Sequence, residues 1–466
     1  MTIKETAPST PSRRPPLRPN TQLELTFTDL LANGQAVGRS EGVVVFCFGP
    51  LPGERARVTI VSVKPNYAVA KLVELLERSR QRAQPFCPVF GACGGCQLQH
   101  LEYAAQLAWK ANAVRAALQR IGGFSSPGVA EPIGMDAPHA YRNKMSLVVT
   151  GAQDTPATIG FYRARSHEVV PIDACPIVDE RLSAYAAELS RLRADPEVVP
   201  ALAQARHLVA RASRASRNAV LAVTTTRESA TVRRAAPVLM DALPGLAGVV
   251  NSYDPAGENA VLGRRSRLAA GAAEIEETIG GLRYRVSSGS FFQVNVAIVA
   301  RIFEFLEPRL RPARPIVDLY CGSGTFALYF ASRGCRVTGI EENSRAVREA
   351  RANAALNALE AGTTFLEGRV ESVVATPQGC AALQDAGVVF LDPPRKGSDE
   401  ATLGAIAAAG VPEIWYLSCD PATLARDLKY AASKGYGLGA VQPFDMFPQT
   451  GHVEALAVLS RIDDRE

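Results

Sequence analysis

The segment 314–326, RPIVDLYCGSGTF, constrains the fold of this 466-residue chain more than any other stretch. Ile316, Val317 and Leu319 read as a buried strand bounded by Pro315 and Gly322. Asp318 and Tyr320 stand near its end, where Gly322 and Gly324 let the backbone turn tightly. In an open parallel sheet, ligands bind outside the carboxyl ends of the strands, so this turn is the predicted ligand site. A glycine turn by itself also serves as plain structure. The next stretch, CRVTGIEEN (335–343), reads as a second strand ending at Glu341, with a helical pattern after it. A carboxylate there is placed to accept hydrogen bonds from both ribose hydroxyls of an adenosine-type cofactor. The third glycine of the dinucleotide spacing is missing, which favours S-adenosylmethionine over NAD and makes a class I methyltransferase the leading reading.

From about residue 286 onward, strand and helix signals alternate. Strands are expected at 314–320, 335–341, 363–367, 387–391, 413–418, 437–444 and 452–460, and helices at 324–333, 343–357, 398–409 and 421–432. That alternation predicts a doubly wound sheet. The expected architecture is α/β, with a class I (Rossmann-like) methyltransferase domain over 286–466, a small β-barrel over 21–80 and a central α/β domain over 81–285. Residues 1–20, rich in Pro, Ser, Thr and Arg, read as a disordered arm without the apolar centre of a secretion signal. No apolar run is long enough to span a bilayer, so the expectation is a cytoplasmic protein. A net charge of +5 is compatible with an RNA partner, and no obligate protein partner is evident.

Within 21–76, short β-branched and aromatic runs are separated by turn signals at NGQ, RSEG, GPLPGE and KPN. Such spacing predicts a small closed barrel of the kind oligonucleotide binders use, followed by a basic cluster, Arg78, Arg80 and Arg82. A purely structural β-domain with a solvated linker reads the same way. Next comes CPVFGACGGC, with Cys87, Cys93 and Cys96. Nine cysteines in a cytosolic chain are not a disulfide framework, and three within ten residues among glycines point to a metal or cluster loop. Cys175 in IDACPIV is the best fourth ligand, and the spacing leaves zinc and an iron–sulfur cluster both open. Residues 97–122 carry helical periodicity that stops at Gly122–Gly123. The central region reads as mixed α/β, its strands rich in Arg and Thr. Arg206, Arg211, Arg214 and Arg217 are its densest basic run, and YRNK (141–144) is a polar cluster of the RNA-contacting type.

Three motifs fall at strand ends. VVFLDPPRKG puts Asp392, Pro393, Pro394 and Arg395 after the fourth strand, on a loop stiffened by proline that is suited to a planar base or to simple rigidity. IWYLSCDPATL ends the fifth strand at Cys419, next to a helix N-terminus that would lower a thiol pKa. TGHVEALAVL heads the last strand with Glu454, a carboxylate that partial burial would suit to proton removal. A thiolate, a base and a methyl donor together match methylation at carbon 5 of a pyrimidine. The thiolate adds to carbon 6, carbon 5 becomes nucleophilic, and the base removes its proton.

Taken together, CPVFGACGGCQLQH, YRNKM, FFQVN, DLYCGSGTF, LDPPR, SCDP and GHVEAL resemble the bacterial RNA (uracil-5-)-methyltransferases over about residues 21–462. The likeness is nearest to the 23S rRNA branch, which has an N-terminal TRAM domain and a 4Fe–4S cluster. The resemblance implies Cys419 as nucleophile, Glu454 as proton acceptor, and Gln293, Tyr320, Glu341 and Asp392 as cofactor contacts. It also implies Cys87, Cys93, Cys96 and Cys175 as cluster ligands and RNA, most of all 23S rRNA, as partner. Two positions depart from the family. Asp420 replaces the usual Asn and would raise the pKa of Cys419 unless it caps the helix, and Arg369 replaces a small polar residue. The competing readings are a tRNA uracil-5 methyltransferase, a base-amine methyltransferase working through the Asp-Pro-Pro loop, and a non-catalytic RNA-binding or redox-sensing relative.

Overall fold

In the strand Arg55–Val63, Ala56, Val58 and Ile60 point inward while their neighbours face out, the alternation that a barrel wall requires. The computed structural model describes residues 17–151, 157–254, 261–290 and 292–462. All but four residues of the expected N-terminal arm lie outside these. The chain forms two compact units, one up to Gln84 with His100–Glu102, the other Pro85–Gln99 with everything from Tyr103 on.

The first unit is a closed five-stranded barrel in the order Gln22–Leu30, Gln35–Ser40, Val43–Phe48, Tyr67–Glu77, Arg55–Val63. Leu25, Phe27, Val45, Cys47 and Ala68 fill it. Arg82, read from the sequence as part of a basic surface cluster, belongs instead to the barrel's scaffold. Its Nε and Nη2 donate to the fully buried Glu54 carboxylate at 2.6 and 2.7 Å, and Nη2 also donates to the Gly49 carbonyl. Burial pushes the Glu54 pKa up, but Arg82 and the amides of Leu51 and Ser79 outweigh it, leaving the carboxyl below its usual range.

In the second unit a central seven-stranded mixed sheet runs Arg265–Gly271, Leu246–Tyr253, Ala219–Thr225, His207–Ala212, Lys144–Thr150, Thr158–Tyr162, Val169–Pro171. Helices Glu180–Leu192 and Ala230–Ala242 pack on it through Leu182, Leu189 and Leu239. Of the basic run read on it, Arg214 and Arg217 are exposed and Arg206 is half-buried, but Arg211 is no surface residue. Ala219–Thr225 is buried throughout, and Arg211 is 1% exposed, its guanidinium donating to the Ser290 and Phe292 carbonyls. Tyr141 and Asn143 of YRNK are buried too. Asn143 donates from Nδ2 to the Gln293 carbonyl at 3.0 Å and from its backbone to Val294, so it serves as scaffold for the FFQVN segment.

The other large sheet has the order Thr363–Glu367, Arg336–Glu341, Pro315–Leu319, Val388–Leu391, Glu413–Ser418, Glu454–Arg461, Tyr436–Phe444. The first five strands are parallel and the last two antiparallel. Val388–Leu391 is buried at every position, as a strand covered on both faces must be. One face packs on Phe303, Phe326, Phe330 and Trp415, the other on Leu403, Leu424 and Leu428 and on Val114 and Leu118 of the helix Tyr103–Arg120. A hairpin, Glu274–Ile279 and Leu282–Ser287, turns through Gly280 and Gly281, both at positive φ, and buries Tyr284 and Val286 in the same core. The sequence reading omitted the helix Pro377–Asp385, although Thr376 caps it and proline occupies its first turn.

Candidate active site

The strand order sets the site. At one edge of the sheet the ends follow in space as Glu341, Tyr320, Asp392, Cys419 and Glu454, because strands ending at 341, 319, 391 and 418 lie side by side. The last strand runs the other way, so its first residue, Glu454, lies at the same edge. Ser418 pairs with Ala455, and one step further brings Cys419 opposite Glu454. All five residues, with Gln293, line one cavity of about 860 Å³.

At the cofactor end, the Glu341 carboxylate accepts the Gly322 amide at 3.0 Å and the Asn343 amide at 2.8 Å. Both oxygens are thereby fixed, and each keeps a lone pair for a ligand hydroxyl. Tyr320 adopts φ +65°, and its hydroxyl pairs with Ser398 Oγ at 3.2 Å. Gln293 Nε2 donates to Asp392 Oδ2 at 3.2 Å. The glycine turn, the doubly held carboxylate and the cavity volume fit an adenosine-type cofactor such as S-adenosylmethionine. Arg369 lines the same cavity, where it is ion-paired with Glu371.

At the other end the carboxyls are starved of solvent. Burial raises the Asp392 pKa to about 7. Glu454, 5% exposed, is raised well above its usual value by burial and then by the Asp392 charge, and its Oε1 has no hydrogen-bond donor. The Cys419 thiol is half-buried and pushed up to about 11 by burial, then by Glu454 and Asp392, with Arg395 opposing. The sequence pointed the other way, to a thiol lowered by the helix N-terminus. Burial and the neighbouring Glu454 and Asp392 carboxyls outweigh the helix N-terminus. Asp420 caps that helix, its Oδ1 accepting the Ala422 and Thr423 amides at 2.9 Å each. Of the two outcomes open to Asp420, capping is the one observed.

Sequence reasoning missed the support behind the Asp-Pro-Pro loop. Asp427 Oδ2 accepts the Ser398 amide at 2.9 Å and the Tyr416 hydroxyl at 2.5 Å, fixing the loop's exit and, through Ser398, Tyr320. The available signal was a carboxylate on the buried helix face of Leu424, Leu428 and Ala431.

Cys87, Cys93, Cys96 and Cys175 line a separate cavity of about 260 Å³. Burial drives Cys96 to about 12 and Cys175 to about 11, and the neighbouring thiols add to both. The Gly95 amide donates to Cys93 Sγ at 3.4 Å. Among the described residues, no three His, Cys, Asp or Glu side chains are grouped so as to hold a metal ion.

The comparisons with known proteins agree with this geometry. A TRAM domain model matches residues 16–73, a tRNA (Uracil-5-)-methyltransferase model matches 381–462, and a model described as Conserved hypothetical protein 95 matches 296–411. The chain is 34% identical over 458 residues to an uncharacterized RNA methyltransferase of Clostridium acetobutylicum, spanning 96% of this chain and 99% of that one. It is 37% identical over 449 residues to another from Gloeobacter violaceus, spanning 93% and 95%. Among solved structures, the tRNA (uracil-54, C5)-methyltransferase of Pyrococcus abyssi, in complex with S-adenosyl-L-homocysteine, superposes with a TM-score of 0.73 at 25% identity. That likeness covers 93% of this chain and all of the other. With a TRAM barrel, a cofactor-type sheet and relatives matched nearly end to end, the chain belongs to the S-adenosylmethionine-dependent RNA (uracil-5-)-methyltransferase family.

Proposed function

We propose that this protein methylates carbon 5 of a uridine in RNA, with 23S rRNA as the substrate, through a covalent bond between Cys419 and carbon 6. The observation that carries the reading is the placement of Cys419 opposite Glu454 at adjacent strand ends within one cavity. S-adenosylmethionine, when bound near Gln293, Tyr320, Glu341 and Asp392, supplies the electrophilic methyl group. Cys419 gives up its proton to solvent water and its sulfur bonds to carbon 6, the electron pair of the 5,6 double bond moving toward carbon 5 and the 4-carbonyl. Carbon 5 then takes the methyl group, and S-adenosylhomocysteine is left. After methylation, the unpartnered oxygen of Glu454 takes the carbon 5 proton. The electrons of that C–H bond re-form the double bond and expel the thiolate. A buried carboxyl with a raised pKa is suited to that transfer near neutral pH.

The four-thiol cavity supports a 4Fe–4S cluster held by Cys87, Cys93, Cys96 and Cys175. All four thiols line that one cavity, as the ligands of a single group would. Buried thiols that raise one another's pKa ionise only beside a cationic partner, which iron supplies. The motif likeness to the 23S rRNA branch, the four-cysteine loop included, is what favours rRNA. The Pyrococcus neighbour, a tRNA enzyme, supports tRNA as the second reading. No helix among the described residues is long and apolar enough to cross a membrane, and a cytoplasmic location follows from an RNA substrate.

The test is incubation with S-adenosylmethionine and 5-fluorouridine-substituted ribosomal or transfer RNA. Fluorine cannot leave as a proton, so the adduct persists on a denaturing gel. A shifted band with 23S rRNA that disappears in Cys419→Ala is the expected result. A band with tRNA alone overturns the rRNA substrate. No band, with methyl still entering unsubstituted RNA, overturns the thiol mechanism in favour of base-amine methylation.

A further inference from the structure

Between the last two strands the chain makes a buried crossing. From Val441 to Glu454 every residue is buried except Phe447 and His452. Those two line the active-site cavity beside Cys419 and Glu454, their rings edge to face at 5.8 Å. His452 Nε2 lies 3.3 Å from Arg395 Nη2 of the Asp-Pro-Pro loop. The crossing therefore presents two flat side chains to the part of the cavity that holds the thiol and the base. A planar heterocycle drawn out of an RNA strand is read by such surfaces.

Between these two residues along the chain lies Gln449. Its backbone is left-handed, φ +70°, which side chains with a Cβ rarely adopt, and it is 4% exposed. Five hydrogen bonds hold it there. Its carbonyl accepts the amides of Gln97 and Leu98 at 3.1 and 2.9 Å. Its own amide donates to Gln106 Oε1 at 3.1 Å, and Gln106 Nε2 returns a bond to Gln449 Oε1 at 2.9 Å. Its Nε2 donates to the Pro138 carbonyl at 3.4 Å. Beyond it, the Gly451 amide donates to Gln97 Oε1 at 3.3 Å. Before it, the Tyr141 hydroxyl donates to the Pro448 carbonyl at 3.1 Å. Gln97 directly follows Cys96, so the segment that carries three of the clustered thiols also carries the donors that clamp Gln449.

We propose that Gln449 is a positioning residue for the target base. Clamped in a left-handed conformation by Gln97, Leu98 and Gln106, it sets Phe447 and His452 as the wall that receives the uracil and ties that wall to the cysteine loop. The inference rests on the uracil-5 reading of the cavity. Glu341, Tyr320 and Gln293 line the cavity and Gln449 stands behind its wall, so cofactor affinity serves as the control.

The experiment compares full-length wild type with Gln449→Val, Gln449→Gly and Gln106→Leu. It measures the rate of adduct formation on 5-fluorouridine RNA and, by calorimetry, affinity for S-adenosylhomocysteine. Valine disfavours positive φ, glycine accepts it and keeps the backbone bonds, and leucine removes the Gln106 latch. The expected result is a loss of about 10- to 100-fold in adduct rate for Gln449→Val, as a misplaced reacting group gives. Gln106→Leu should fall with it, Gln449→Gly should stay near wild type, and S-adenosylhomocysteine affinity should be unchanged in all three. An unaffected Gln449→Val rate, equal losses in the glycine and valine variants, or a parallel loss of cofactor affinity overturns the proposal. Should Gln449→Val not fold, Gln106→Leu against Gln449→Gly makes the same comparison. A wild type that forms no adduct is a failure of the thiol mechanism instead. The positioning role is then judged on kcat against KM for RNA in methyl transfer to unsubstituted RNA.

Discussion

Cys419 and Glu454 stand opposite each other at the ends of neighbouring antiparallel strands, and the Glu454 charge helps raise the Cys419 thiol to about 11. The free protein thus keeps the Cys419 thiol protonated at neutral pH. Ionisation of the thiol rises with pH, so alkylation of Cys419 by iodoacetamide should accelerate from pH 7 toward 11 without a plateau near 8. Glu454→Gln removes a negative neighbour and should move that profile to lower pH. Arg395→Met removes the opposing cation and should move it higher. A profile that Glu454→Gln leaves in place would mean that burial alone governs the thiol.

Glu341 is held by two backbone amides with its outer lone pairs free. Glu341→Gln keeps the shape but exchanges one acceptor oxygen for a donor, which clashes with either an amide or a ribose hydroxyl. Hydrogen bonds to a charged group contribute about 1.5–3 kcal/mol, so S-adenosylhomocysteine should bind roughly 10- to 100-fold more weakly. Calorimetry checks this, and thermal stability should change little because the residue is only partly buried.

The parts of this enzyme legible in its sequence share one property, that their signal is local. Each parallel strand is a short apolar run, and each candidate residue of the cavity directly follows or heads one, so Glu341, Tyr320, Asp392, Cys419 and Glu454 could be ordered before their neighbours in space were known. Arg265–Gly271 was missed because an edge strand with five exposed residues shows no alternation. The burial of Arg211, Tyr141 and Asn143 was not legible in the basic run and the YRNK cluster, because their partners are remote. Asn143 meets Gln293 across 150 residues and Tyr141 meets Pro448 across 307. A polar side chain bonded to a distant carbonyl looks, in one dimension, like a surface residue.

The Asp427 network makes a prediction about the rigidity of the Asp-Pro-Pro loop. Asp427→Ala takes the shared acceptor from the Tyr416 hydroxyl and the Ser398 amide in a buried setting, leaving the amide only the Tyr416 oxygen at 3.0 Å. An orphaned buried hydroxyl costs about 1–3 kcal/mol. The variant should melt several degrees lower and lose cofactor affinity through Tyr320. Tyr416→Phe, which removes one donor together with the need for it, should be milder in both measurements.

Lys110 and Asp445 test how firmly the helix Tyr103–Arg120 holds the Glu454 end of the sheet. Both side chains are fully buried, Nζ to Oδ1 is 2.5 Å, and the ammonium also donates to the Phe447 carbonyl at 3.0 Å. Burial lowers the Lys110 pKa and Asp445 pulls it back, as expected of a charge whose hydration has been replaced by one partner. Lys110→Met strands the carboxylate and should cost about 3–5 kcal/mol in denaturant unfolding, as should Asp445→Leu through the stranded ammonium. The double variant removes both charges and should recover most of that loss, giving a large non-additive term in the cycle. It still lacks the donor to Phe447, so stability should return before adduct formation does. Recovery of both together would show that the ion pair serves folding alone.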